Sequence, residues 1–246
     1  MKTKIRPWVK GFFILALILL SYAMLIDKPC QAREGYDLIG FMNECQKMST
    51  DPGIIAIVQW IPDEWWQLTL ERAEVPEPRI KEVLELFEPY TAFIVIHGKI
   101  SSMGLPSFSS EVNIRQHLFL VDETEEFYKP IEDENISSGV RNAIIMIKPI
   151  FSNMLGRMGE NMNFFFFTSK TKKGGKICQA KKKGSFAICF KDMPEIEDQV
   201  FKWTLPLNSL VPCTVCPKCT NELKGVWSYC PWCGIALDST ERQVKK

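Results

Sequence analysis

The sequence predicts an α+β domain around an antiparallel sheet or sandwich, with helices early in the chain and a small cysteine-rich module after it. Three observations carry this. Helical periodicity gathers in the first part of the body, and apolar runs separated mainly by turns follow it. Five of the nine cysteines then crowd between Cys213 and Cys233. A disulfide scaffold would scatter them, so the clustering points to a local site.

The 246 residues leave room for one fair-sized domain and an appendage. Hydrophobic residues make up 46% and charged residues 24%, which places the chain among folded proteins and outside the disordered range. Thirty basic residues against twenty-nine acidic ones give a formal charge of +1, so no global field draws the chain to nucleic acid. We divide it into an N-terminal signal or anchor at 1–32, an α+β body at 33–210, a cysteine module at 211–238 and a polar tail at 239–246.

Lys2, Lys4, Arg6 and Lys10 precede an uncharged run from Gly11 to Ile26. Its sixteen residues exceed most signal-peptide cores and fall short of the roughly 20 that span a bilayer comfortably. Cys30 and Ala32 suit the small-residue positions of a signal-peptidase site, leaving Arg33 as the mature N-terminus. Cleaved signal and uncleaved anchor both stay open. Either keeps the basic residues in the cytoplasm and exports the body, to a periplasmic, extracellular or membrane-anchored position.

In the body, Leu38, Phe41, Met42 and Cys45 recur at helical spacing, which puts Cys45 on a buried helix face between Tyr36 and Met48. After the Asp51-Pro52-Gly53 turn, "IIAIVQWI" reads as a buried strand. A helix follows with Asp63 as its N-cap, then a second helix with Ile80, Val83, Leu84 and Phe87 on one face. "TAFIVIHGKIS" reads as a strand that Gly98 ends. "HLFLVDETEEFYKPI" reads as a hairpin, and "AIIMI" as a short run before a brief helix that Pro149 opens. "NFFFF" is a buried strand, "KICQAKKKGSFAICF" a hairpin turning at Lys183-Gly184, and "QVFKWTLPLNSL" a last extended segment. Pro206 and Pro212 mark the linker that follows.

The C-terminal segment reads "CTVCPKCTNELKGVWSYCPWCG". Cys216 and Cys219 form one Cys-Pro-x-Cys pair, and Cys230 and Cys233 form the other after a gap of ten residues. Two such knuckles can set four thiolates tetrahedrally about one zinc ion in a closed structural site. A segment this short has too little apolar interior to fold alone, so metal would supply the missing stability. From about Pro212 to Asp238 the chain resembles the zinc-ribbon family, in which each pair is typically Cys-Pro-x-Cys-Gly. "CPWCG" matches that pattern and "CPKCTN" departs from it, with Thr220 where glycine is usual and Asn221 next to it, a residue that tolerates left-handed backbone. The resemblance implies Cys216, Cys219, Cys230 and Cys233 as ligands of a structural zinc. The competing readings are disulfides within each pair, or a catalytic thiol pair that lacks the usual helix-opening βαβ surroundings. Cys213 reads as a spare thiol.

Other features have a bland and a sharp reading. Cys178 and Cys189 would face each other across the Lys183-Gly184 hairpin, as a disulfide or as two buried thiols. The lysines at 170, 172, 173, 176, 181, 182 and 183 could grip an anion or simply solvate a hairpin. An acidic stretch from Asp122 to Glu134 could pair with them within the fold or between copies. Trp227, Tyr229 and Trp232 are expected to dock the module on the body. The two histidines, His97 and His117, belong to no metalloprotease, hydrolase-elbow or phosphate-loop pattern.

The expectation is therefore a non-enzymatic exported or membrane-tethered protein that binds a protein or envelope component or stabilises an envelope assembly, with no catalytic residue assigned and nucleic acid disfavoured. The alternatives are an extracytoplasmic hydrolase or thiol oxidoreductase, and a nucleic-acid-associated zinc-ribbon protein.

Overall fold

The computed structural model describes residues 38–211, 214–224 and 227–237. The N-terminal residues read as a signal or anchor, Cys213 and the tail lie outside these residues. Among the described residues no helix is long and apolar enough to cross a membrane.

The body is a mixed α and β structure built on antiparallel sheets, as the sequence predicts. Helix α1 (Leu38–Cys45) runs directly into the short strand β1 (Gln46–Met48), so the helical pattern stops three residues earlier than Met48. β2 (Ile54–Ile61) pairs with β1 on one edge and with β3 (Tyr90–Ile100) on the other. Between β2 and β3 come helices α2 (Asp63–Arg72) and α3 (Glu77–Phe87). Ile80 and Phe87 of α3 are buried, and Val83 and Leu84 pack against the same core, as their spacing predicts.

Two details of this region differ from expectation. Asp63 is the first residue of α2 and makes no cap; Pro62 holds that position, and the Asp63 carboxylate accepts a hydrogen bond from Lys176 at 3.0 Å. Gly98 lies inside β3 and does not end it. Strand β4 (Pro106–Phe108) approaches there, and a Cβ on Gly98 would come within 2.3 Å of the Ser107 carbonyl oxygen. Glycine marks a close backbone approach at this point.

After α4 (Glu111–His117), strands β5 (Leu118–Val121) and β6 (Phe127–Tyr128) form the expected hairpin. Asp122 fixes its turn by accepting from the Thr124 and Glu126 backbone N–H groups and from the Tyr128 hydroxyl. Helix α5 then spans Ser138–Leu155, with the Ser137 hydroxyl capping Val140 N. Pro149 sits inside this helix and does not open a separate one. Both Pro149 and Ile145, whose carbonyl loses its helical donor, are exposed, so water can serve that oxygen. A short α6 (Arg157–Glu160) leads to β7 (Asn163–Thr168), which shares the free edge of β3 with β4.

The second sheet has the order β6-β5-β8-β9, with β8 at Gly184–Phe190 and β9 at Gln199–Leu205. β9 alternates buried and exposed residues without a break. The two sheets meet through an aromatic cluster. Trp60 and Phe93 come from the first sheet, Phe186 and Trp203 from the second, with ring centroids 4.7 to 6.2 Å apart. On the opposite face of the first sheet, Trp66 stacks on Phe87 at 4.5 Å and Phe87 faces Phe166, which seats α2 and α3.

Residues 177–183 form turns and not the first arm of a hairpin. Both edges of β8 are already taken, by β5 and by β9, so this stretch has no edge to pair with. It ties into the fold through Ile177 N to Ser169 O and Leu207 N to Ala180 O.

Candidate metal centre

The cysteine segment is two minimal hairpins, each closing on a knuckle. Strands β10 (Thr214–Val215) and β11 (Glu222–Leu223) pair around Cys216 and Cys219. A single bridge between Tyr229 and Ala236 closes the second loop around Cys230 and Cys233. The backbone repeats itself in the two loops. Cys216 N donates to Asn221 O and Thr220 N donates back to Cys216 O; Cys230 N donates to Ile235 O and Gly234 N donates back to Cys230 O. This pattern needs left-handed backbone four residues after each first cysteine, and it falls on Thr220 at φ 58° and on Gly234 at φ 71°. The Asn221 tolerance is therefore not what the first knuckle uses. Asn221 instead donates its side-chain amide to Cys219 Sγ at 3.3 Å.

The four sulfurs of Cys216, Cys219, Cys230 and Cys233 all lie within 4.8 Å of one another. Cys216 and Cys233 approach to 3.6 Å, and Cys219 and Cys230 to 3.5 Å. Four thiolates at about 2.3 Å from one tetrahedral ion sit about 3.8 Å from each other, so the set has the size of a metal cage. A disulfide needs about 2.05 Å, and all four cysteines are free. The closest sulfurs also belong to opposite knuckles, which is the arrangement of a shared ion.

Electrostatics in the cage favour a cation. Backbone N–H donation from Asn221 is the main influence that brings the Cys219 thiol down to about 6. For Cys233, the Ile235 N–H acts in the same sense, but burial and the neighbouring sulfurs outweigh it and push the thiol up to about 12. One negative charge is easily held and the further ones repel, until a positive ion sits among them. Cys216 and Cys230 are buried with Leu223, while Trp227, Ile235 and Leu237 pack around them as a cluster separate from the body's core.

Trp227 and Trp232 meet edge to face at 5.7 Å. Tyr229 and Trp232, however, are 66% and 57% exposed, so among the described residues these two do not dock the segment on the body. The small interior is already filled by the two buried cysteines and Leu223.

The remaining sequence candidates resolve into structural roles. Cys189 faces Phe119 and Val200 across β5 and β9, and Cys178 lies in the turn region before β8, so the two are not cross-strand partners. Burial raises the thiols of Cys45, Cys178 and Cys189 above the ordinary range, which keeps them protonated and unreactive. Much of the lysine stretch pairs within the fold: Lys170 with Glu88, Lys172 with Glu126, and Lys176 with Asp63. His117 Nδ1 lies 2.8 Å from the Lys191 carbonyl oxygen. His97 is fully buried, stacked on Phe190 at 4.8 Å, with Nδ1 at 3.0 Å from Ser109 Oγ. Its Nε2 has no partner among the described residues, and burial, helped by Lys99, lowers its pKa to about 4.

No family model matches the chain, and no curated protein or solved structure matches it either.

Proposed function

We propose that the protein is an exported or membrane-tethered, non-enzymatic protein whose α+β body binds a protein or envelope component. In this reading its C-terminal segment is a structural zinc ribbon. The observation that carries the zinc assignment is the four-sulfur cage, with its two repeated knuckles and its separate, very small apolar cluster. Borderline-soft zinc suits four thiolates in a tetrahedral set, and a closed four-cysteine site leaves no open position for chemistry. A structural role follows from that closure.

The non-catalytic reading of the body draws on the size of its cavities. Two cavities, of about 20 and 30 Å³, have room for water and not for an organic substrate. The first is lined by Asp63, Thr91, Ser169, Lys176 and Cys178, with the Asp63–Lys176 ion pair in its wall. The export reading rests on the basic residues and the apolar run at 11–26.

Metal content and free-thiol count, measured on protein recovered from its own compartment, test the central part. One zinc per chain is expected, with Cys216, Cys219, Cys230 and Cys233 reacting only after denaturation and chelation. Absence of zinc with those cysteines oxidised would end the ribbon reading and bring a disulfide or redox role forward.

A further inference from the structure

We propose that the four-cysteine cage is a clasp with two closed states. In one it holds a zinc ion. In the other, reached with a peroxide as oxidant, two disulfides cross between the knuckles, Cys216 to Cys233 and Cys219 to Cys230. This rests on the zinc reading of the segment.

The sulfurs are already placed for that pairing. Cys216 Sγ lies 3.6 Å from Cys233 Sγ, and Cys219 Sγ lies 3.5 Å from Cys230 Sγ, so each contact bridges the two knuckles. An S–S bond of about 2.05 Å needs each pair to close by about 1.5 Å. Cys216 and Cys230 are buried, while Cys219 and Cys233 are half-buried. Each contact therefore joins a sulfur that a small oxidant reaches to one that it does not. Inside the first knuckle, Cys216 Sγ accepts from the Cys219 backbone N–H at 3.5 Å, so an amide closes that turn. Backbone pairing stays within each knuckle, β10 with β11 in the first and Tyr229 with Ala236 in the second. In the zinc reading the ion is what links them. Crossed bonds take over that task, because the 219–230 bond nests inside the 216–233 bond and both join one knuckle to the other. Disulfides within the Cys-Pro-x-Cys pairs would close only short rings, and would leave Cys216, Leu223 and Cys230 without the link that buries them. On the export reading the segment works in an oxidising compartment, and the crossed form keeps it closed there.

The chemistry balances pair by pair. The half-buried thiolate attacks a peroxide oxygen, the O–O bond breaks, and a sulfenic acid and a hydroxide form. The buried thiolate of the other knuckle then attacks the sulfenic sulfur. The S–S bond forms, the S–O bond breaks, and a second hydroxide leaves. Both hydroxides take up protons to become water, and two electrons pass from the two sulfurs to the peroxide. Four sulfurs consume two peroxides in this way. The zinc departs as the divalent ion, its oxidation state unchanged.

The test uses the full chain, with hydrogen peroxide added stepwise and released zinc read by a chromogenic chelator. About two peroxides per zinc are expected. After acid quenching and alkylation of free thiols, digestion reads the pairing. Trypsin cutting after Lys218 and Lys224 puts Cys216, Cys219 and the second knuckle on three peptides, and chymotrypsin cutting after Trp232 parts Cys230 from Cys233. Crossed bonds should leave the three tryptic peptides joined, with Cys219 on the Cys230 fragment and Cys216 on the Cys233 fragment. Bonds within the pairs would release the peptide of Cys230 and Cys233 unlinked, and would overturn the proposal. A bond through Cys213, or oxidation that runs on to sulfinic acids, would overturn it as well. Cys219→Ser should still form the Cys216–Cys233 bond with Cys230 left free; a Cys230–Cys233 bond there would count against the crossing. The zinc reading and the pairing fail separately. A chain purified without metal ends the first, and peptide mapping of that chain, reduced and then given the same peroxide, still decides the second.

Discussion

From β2 to β9 the chain closes on rings: Trp60, Phe93, Phe186 and Trp203 are all but completely buried, and α2 and α3 add Trp66 and Phe87 on the outer face of the first sheet. From Thr214 to Leu237 the described buried apolar side chains are Cys216, Leu223 and Cys230. The body can meet its conformational entropy cost by removing apolar surface from water. The short segment cannot, and its order depends on four sulfurs that repel one another without a cation. The two regions should therefore respond to different perturbations.

The largest expected effect is on the segment. Cys230→Ser removes one sulfur from the cage and should abolish metal binding, since a structural zinc site supplies roughly 10–16 kcal/mol of apparent folding energy at neutral pH. Metal analysis should show the loss, and thermal unfolding should show the body's transition in its wild-type place. A body that melts early in this variant would mean that the two regions fold as one unit, against the separation of their buried clusters. The converse change, Trp203→Ala, should cost the body about 3–5 kcal/mol by opening a cavity beside Phe93 and Phe186. Denaturant titration would read that cost, while zinc content should stay at the wild-type level.

How legible each region was in the sequence follows from the same contrast. The cysteine site is local: four residues at fixed spacings carry the cage, so pattern alone reached it. What pattern missed was which residue takes the left-handed turn, because Thr220 and Asn221 are neighbours and only the backbone bonds decide between them. In the body, "IIAIVQWI" and "NFFFF" were legible because continuous apolar runs of that length suit a strand buried on both faces. Gly98 was misread because its reason, the approach of Ser107, comes from another strand. The stretch from Lys176 to Lys183 was misread for the same cause, as β8 takes its partners from residues far away in sequence. Pro149 looked like a helix start because local rules put proline there, yet an exposed helix face tolerates it.

The body also carries a pH response of its own, set by a buried histidine. His97 has an ordinary pKa of 6.5 that the fold lowers to about 4, so the unfolded chain takes up the proton first. Its contribution to stability is whole above about pH 6.5 and is lost as pH falls toward 4, with an upper bound of about 3 kcal/mol. Lys99 adds to the burial effect, and Ser109 bonds the other ring nitrogen. His97→Gln keeps a polar group for Ser109 and cannot titrate. Denaturant midpoints measured between pH 7 and pH 4 should therefore fall less steeply in the variant. An equally steep fall would assign the acid sensitivity of the body to its carboxylates.

The smallest effect sharpens the comparison inside the cysteine segment, where two knuckles of the same backbone pattern differ at one position. Gly234 takes φ 71° without steric penalty, while Thr220, a β-branched residue, is held at φ 58°. Left-handed backbone costs an ordinary residue roughly 1–2 kcal/mol, and a Thr220 hydroxyl bond to the Cys219 carbonyl at 2.7 Å offsets part of it. Thr220→Gly should relieve the strain at the price of greater freedom in the unfolded chain, for a net gain of about 0.5–1 kcal/mol. Competition against a chromogenic chelator should show slower zinc release from this variant, with the body's melting unchanged. Gly234→Thr should do the reverse by a similar amount. If both changes leave release untouched, the turn geometry does not limit the site, and the sulfurs and the ion alone set its stability.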